Sequence, residues 1–244
     1  MRTPCLACEK ERLWLAETCF GHLENRENWT ERAIAQLRRD GGHNLNLSGA
    51  DFSGRDLAGL RLEFVNLAGA NLANADLREA DLSRASLVAA DLSGAGLVSA
   101  QMQMVNARGM KARGADLTRA RLNGATLASA DLEGARLDEA ELTGTNLRQA
   151  RLLGASFKKA RFLRASLSNS DLTGADFSGA DLKDVAMIDV IGLSTIRRDG
   201  ASGDSVITND VIASKDRPQR PSELKWRHWT EAPPPEAKDD APGA

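Results

Sequence analysis

Large rings are scarce in this chain. It has 244 residues, no tyrosine, and aromatics at 4% of the total, which fits a narrow core filled by leucine and alanine. There are three cysteines, an odd number, which argues against a disulfide framework. No run approaches the length of apolar sequence that crosses a bilayer, and the start lacks a basic-then-apolar leader; the expected location is the cytoplasm. Charge of one sign is lacking too. Lys and Arg number 32 against 34 Asp and Glu, a net of −2, so there is no electrostatic case for a nucleic-acid or membrane partner. No phosphate-binding loop or nucleophile elbow appears, and the expectation is a protein that is not an enzyme.

What is present is a period of five. Of the 29 positions 47, 52, 57 and onward to 187, 27 are Leu, Phe or Met, and only Ala107 and Ala112 depart. Two residues before these, 20 of 29 positions are Ala. A helix needs a period near 3.6 and a strand a period of 2; five fits neither. A short repeat held over so long a stretch predicts an all-β solenoid whose units bury their apolar side only by stacking. Leucine and alanine, two apart, share one side of a short extended segment, and the chain then turns a corner. Where the central residue shrinks, its partner grows: Val105 precedes Ala107 and Met110 precedes Ala112, a near volume-conserving exchange. Arg55 takes an inward position near the start of the repeat; it is expected to be paired or to reach out under a cap. Leu60 and Val65 suggest a wider core there.

Ala-Asp-Leu recurs at 75–77, 80–82, 90–92, 115–117, 130–132 and 180–182, with Ala-Asn-Leu at 70–72. Over residues 45–190 the pattern resembles that of the pentapeptide-repeat family, A-(D/N)-L-x-x. The resemblance implies a right-handed quadrilateral parallel β-helix with four pentapeptides per coil, about seven coils and roughly 35 Å of length at the β spacing. Some members of the family are DNA mimics that bind DNA gyrase and protect it from quinolones or toxins. A mimic needs a dominant negative field; residues 45–192 hold 17 Lys and Arg against 18 Asp and Glu. The Pro-rich tail also does not match the C-terminal dimerisation segment of those members.

The chain divides into 1–44, 45–192 and 193–244. In the first part, Thr3-Pro4 opens a helix, Glu9–Thr18 is strong helix sequence, and Gly21 suits its end. A second helix is expected from about Asn28 to Arg39, with Asn28 and Glu31 resembling a capping box and Trp29, Ala33, Ile34 and Leu37 forming one apolar side. An open solenoid end exposes apolar side chains and strand edges, and this helix is read as an N-terminal helical cap. Cys5, Cys8, Cys19 and His22 have zinc-like spacing. A continuous helix between Cys8 and Cys19 would hold them about 16 Å apart, beyond the reach of one ion. A structural zinc site, half-buried free thiols and a redox pair stay open, and no cofactor is otherwise expected.

With coils of 20 residues, outward positions fall into columns. Asn46, Asn66, Ser86, Asn106, Thr126, Asn146 and Ser166 make one without charge, and the rest of that face adds only Arg108, Arg148 and, at its end, Asp189. Either these side chains hydrogen-bond along the stacked strands, or the face contacts a protein partner or a second copy of the chain, so a homodimer stays open. A further column, 54, 94, 114, 134, 154 and 174, is Gly with Asn74 in its gap, as expected of a corner with positive φ. Residues 185–192 are expected to close the last coil. Beyond them Val206-Ile207 and Val211-Ile212 are expected to pack along the rod, Lys225–Trp229 to anchor the tail or to dock elsewhere, and the Pro- and charge-rich end from Pro233 to be disordered. The function expected is a non-catalytic protein-interaction or scaffold rod with an unidentified protein partner; the alternative is gyrase-directed DNA mimicry.

Overall fold

The computed structural model describes residues 26–203 and 206–208. It opens with α1, Arg26–Asp40. Asn28 therefore lies inside the helix, not at its cap: Arg26 and Glu27 contain no Gly or Pro to stop the winding. Trp29, Ala33, Ile34 and Leu37 are all buried and belong to the same core as the coils that follow. Gly41 N donates to Leu37 O at 2.8 Å and Gly42 N to Arg61 O at 2.6 Å, so the helix end hands the chain to the first coil. A Cβ on Gly42 would meet Leu62 Cδ2 at 2.8 Å and Leu37 Cδ2 at 3.0 Å, so a larger residue here would push both leucines aside.

From Asn46 onward the chain is a stack of parallel coils. Asn46 pairs with Asn66, Asp51 with Asn71, Asp56 with Asp76 and Arg61 with Asp81, and each pairing repeats every 20 residues. Four ladders per coil make the solenoid four-sided. Each pentapeptide closes its own turn: Ala50 N donates to Leu47 O at 3.2 Å and Ala75 N to Leu72 O at 3.0 Å. The third residue of every such turn has positive φ, at each fifth position from Asn44 to Asp189, as a type II turn requires. Column 54–174 follows this rule, but so do Arg84, Met104 and Lys159 at φ 57–59. A Cβ at Gly54, Gly114, Gly134, Gly154 or Gly174 would meet nothing within 4 Å. Nothing in the structure explains why glycine gathers in this one column.

The inward positions fill as the period demands. Leu72–Leu97 and Leu117–Leu142 at five-residue spacing are fully buried, as are Val105, Ala107, Met110 and Ala112. Phe157, Phe162 and Phe177 stand together with ring centroids 4.9–5.6 Å apart. Thr145 and Ser170 take alanine positions, and their buried hydroxyls are satisfied by Leu122 O at 2.8 Å and Leu167 O at 2.5 Å. Arg55 points out to α1, where Nη1 meets Glu31 Oε1 at 2.7 Å. Arg38 of the same helix reaches Asp56 at 2.8 Å.

Coil pairing does not stop at 192. Asp176 pairs with Arg197 and Asp181 with Ser202, and β1, Ala186–Met187, runs parallel to β2, Ile207–Thr208. These partners are 21 residues apart, because the 3-10 turn Leu193–Thr195 inserts one residue. Val206 and Ile207 are thus part of a further coil. That coil was hidden in the sequence because Arg198, Gly203 and Thr208 stand where earlier coils carry Leu or Phe; only Ile196, Ala201 and Val206 keep the smaller inward positions apolar. Its corner is tight, since a Cβ on Gly192 would lie 2.4–2.6 Å from Thr173. The cysteines, His22, the first expected helix, Val211-Ile212, Lys225–Trp229 and the Pro-rich end lie outside the described residues.

Candidate interaction surface

The backbone turn dictates most of the outward chemistry. Where the residue before the central inward position is Asp or Asn, its side chain accepts the N–H two residues on. Asp51 Oδ1 takes Ser53 N at 3.0 Å, Asp81 takes Ser83 N at 2.9 Å and Asp91 takes Ser93 N at 3.0 Å. Asparagine does the same: Asn66 with Ala68 N at 3.1 Å, Asn146 with Arg148 N at 3.1 Å, Asn71 with Ala73 N at 3.2 Å. These are Asx turns, in which a short side-chain oxygen leads the chain into its corner. They also set the acids' protonation. A hydroxyl hydrogen bond from Ser93 holds Asp91 below its ordinary pKa and one from Thr173 does so for Asp171, each against some loss of hydration. At Asp176 burial pushes upward but is outweighed by Ser178, Lys158 and Arg197.

Three faces interleave signs along their ladders. Arg113 meets Asp131 at 2.7 Å and Glu133 at 3.3 Å, and Arg151 meets the same two at 3.5 and 3.0 Å. Arg119 pairs with Glu139 at 2.9 Å, Arg136 with Asp116 at 3.7 Å, and Lys158 with Asp176 at 3.5 Å. No face is left uniformly acidic.

The fourth face carries the column expected from the sequence. Asn46, Asn66, Ser86, Asn106, Thr126, Asn146 and Ser166 stand in one ladder, and Ala186 continues it. Asn66 also donates Nδ2 to Asn46 Oδ1 at 3.0 Å. Hydrogen bonding thus accounts for the asparagines here, but not for the lack of charge, because aspartate makes the same turn on the other faces. Arg108 and Arg148 rise from this face two coils apart, exposed and without an ion pair among the described residues.

One element escaped sequence reasoning. The corner between this face and the face of Gln101 carries Phe64, Arg84 and Met104 in consecutive coils. Phe64 is 44% exposed and Met104 60%. Counting the column 44, 64, 84, 104 in steps of 20 would have found them. Among the described residues no three or more His, Cys, Asp or Glu side chains are placed to hold a metal ion. No described helix is long and apolar enough to cross a membrane.

A family model described as pentapeptide repeats matches in 8 copies, over residues 46–84, 75–111, 100–138, 115–154 and 150–185. Among solved structures, HetL of the cyanobacterium Nostoc, involved in heterocyst differentiation regulation, is 26% identical, with a TM-score of 0.43, over 77% of this chain and 94% of that one. A trypsin-treated form of QnrB1, a plasmid-mediated fluoroquinolone resistance protein, is 22% identical, with a TM-score of 0.43, over 65% of this chain and 86% of that one. A protein of the Arabidopsis thaliana thylakoid lumen is 29% identical, with a TM-score of 0.20, over 41% of this chain and 63% of that one. No curated protein matches this chain.

Proposed function

Because the chain belongs to the pentapeptide-repeat family, we propose that it is a non-catalytic rod for protein–protein contact, wound as a right-handed β-helix and capped by α1, with its uncharged face as the contact surface. The observation that carries this is the choice of Asn, Ser and Thr over Asp along one whole face. Asn and Asp both satisfy the turn, and the other faces carry Asp, stacked directly at Asp56 and Asp76 and interleaved with Lys or Arg further along. The fold accepts either solution. The uncharged ladder packs against another surface without stranding a buried charge, and Arg108 and Arg148 beside it are left to meet anions on that surface. Solenoids present long, regular surfaces of this kind. The cap reading rests on the burial of Trp29, Ala33, Ile34 and Leu37 in the coil core and on the Glu31–Arg55 and Arg38–Asp56 pairs.

Interleaved charge on the other three faces gives no support to a gyrase-directed DNA mimic, which would need one continuous acidic face. The test is Thr126→Asp. It places a carboxylate in the middle of the uncharged column, where the backbone turn accepts aspartate. The variant is expected to melt with the wild type and to lose proteins that the wild-type chain captures by affinity; capture unchanged by this substitution would remove the uncharged face from the contact.

A further inference from the structure

We infer that the corner formed by Phe64, Arg84 and Met104 anchors this contact, and that it fits an apolar patch flanked by carboxylates on a different protein. The inference rests on the contact reading above and adds the partner's chemistry.

The fold does not ask for these side chains. All three are held at φ 57–59, a conformation that side chains bearing a Cβ enter at a cost. Gly124 and Gly144 make the same corner in the next two coils. Phe64 and Met104 are also large apolar groups left in water, which a buried-core argument cannot explain.

The ridge is ordered in advance. His43 meets the Phe64 ring edge-on at 5.0 Å, and Arg84 Cζ lies 5.5 Å from the ring centroid. Met104 lies down over Gly124, its sulfur 2.6 Å from where a Cβ on that glycine would stand. Aromatic, Met and Arg side chains are those enriched where proteins bind proteins, and fixing them beforehand lowers the entropic cost of binding.

The flanks define the occupant. Gln101 and Gln103 lie on one side of Met104, and Asn106 follows on the other. They are uncharged, and Gln103 Nε2 is engaged by Gln101 Oε1 at 3.0 Å. The cations around the ridge are Arg84, Arg108 and, on the ladder of Gln101, Arg61 and Arg121; Arg84 and Arg108 are in no ion pair among the described residues. A guanidinium covered by a partner needs an anion there. A nucleic acid would carry a continuous row of phosphates past Glu63 and Asp81 on the neighbouring face, whereas a protein can place its carboxylates at Arg84 and Arg108 and none beside those acids. A second copy in a two-fold contact would set this arginine-bearing edge against itself. An apolar patch with carboxylates at its margin satisfies both the ridge and its arginines.

The test selects a random-peptide phage library on the full chain, with counter-selection on the Phe64→Gly/Met104→Gly variant. Both glycines suit the corner, so the variant is expected to melt no lower than wild type. The expected peptides combine apolar residues with Asp or Glu, and bind Met104→Gly and Arg84→Glu at least about tenfold more weakly, a difference of about 1.4 kcal/mol. Peptides lacking acids, or no peptide that prefers wild type to the double variant, would overturn the inference. Peptides lost with Thr126→Asp but indifferent to the ridge substitutions would overturn the corner and leave the face reading standing. Peptides indifferent to both would sink the two together. A concentration-dependent dimer abolished by Met104→Gly would assign the ridge to a second copy and also overturn the inference.

Discussion

Asn66 donates its side-chain amide to Asn46 Oδ1, in the preceding coil, at 3.0 Å, while its own Oδ1 accepts Ala68 N. One residue thus serves its turn and its ladder together. Asn66→Asp keeps the turn acceptor and removes the ladder donor. The expected loss is about 1 kcal/mol, that of one net hydrogen bond, read by urea unfolding. An unchanged midpoint would mean that the amide contact contributes nothing.

The exchange of volume between Met110 and Ala112 predicts strong coupling. Met110→Ala empties a filled position and is expected to cost about 2–5 kcal/mol. Ala112→Leu overfills one and is expected to cost about 1–3 kcal/mol. Made together, the two restore the usual Ala-then-Leu order and are expected to recover most of the loss. Simple additivity in a double-mutant cycle would show that the two positions do not share one packing space.

The corner at Met104 predicts a substitution that removes contact area without harming the fold. Met104→Gly relieves a left-handed non-glycine residue while adding freedom to the unfolded chain. Stability is expected to hold or to rise by up to about 1 kcal/mol. A fall of the melting midpoint would show that the thioether supports the coil itself.

Acid should unfold the rod by titrating its turns. Asp91 and Asp171 have folded pKa values below the ordinary one, chiefly through the hydroxyls of Ser93 and Thr173. Their stabilisation is complete above the unfolded carboxylate pKa of about 3.9. It is lost as pH falls from there through the lower folded value, because the unfolded chain takes up its protons first. Stability is therefore expected to be level near neutrality and to drop below about pH 4. Thr173→Val should flatten that drop; an equal acid slope in the variant would rule out this turn as a source.

The coil, its five-residue turn and its columns were legible because each inward position needs one large and one small side chain, and nothing else satisfies a tube of that width. Arg55 was legible as an exception because an unpaired guanidinium cannot stay inside. Other features were not, for physical reasons. The coil after residue 192 has Arg198 and Gly203 in place of leucine and one extra residue at its corner, so the period disappears although the ladder continues. Asn28 looked like a helix cap, but a capping pattern cannot stop a helix when the residues before it are themselves helix formers. Phe64 and Met104 were passed over because corner positions were read for backbone conformation, which glycine explains, and not for the side chains that depart from it. The uncharged column itself could be counted in the sequence. That aspartate would serve its turns equally well became visible only with the hydrogen bonds in place.

Site-specific photo-crosslinking tests the central claim most directly. A photoreactive phenylalanine analogue is placed at Ser86 and Thr126 on the uncharged face, and at Ser93, Thr118 and Thr143 on the other three, away from the Phe64–Met104 corner, in cells that produce the full chain. A discrete protein adduct at the first two positions and none at the other three is the predicted result. The same adducts from all four faces, or none from Ser86 and Thr126, would contradict a rod that works through its uncharged face.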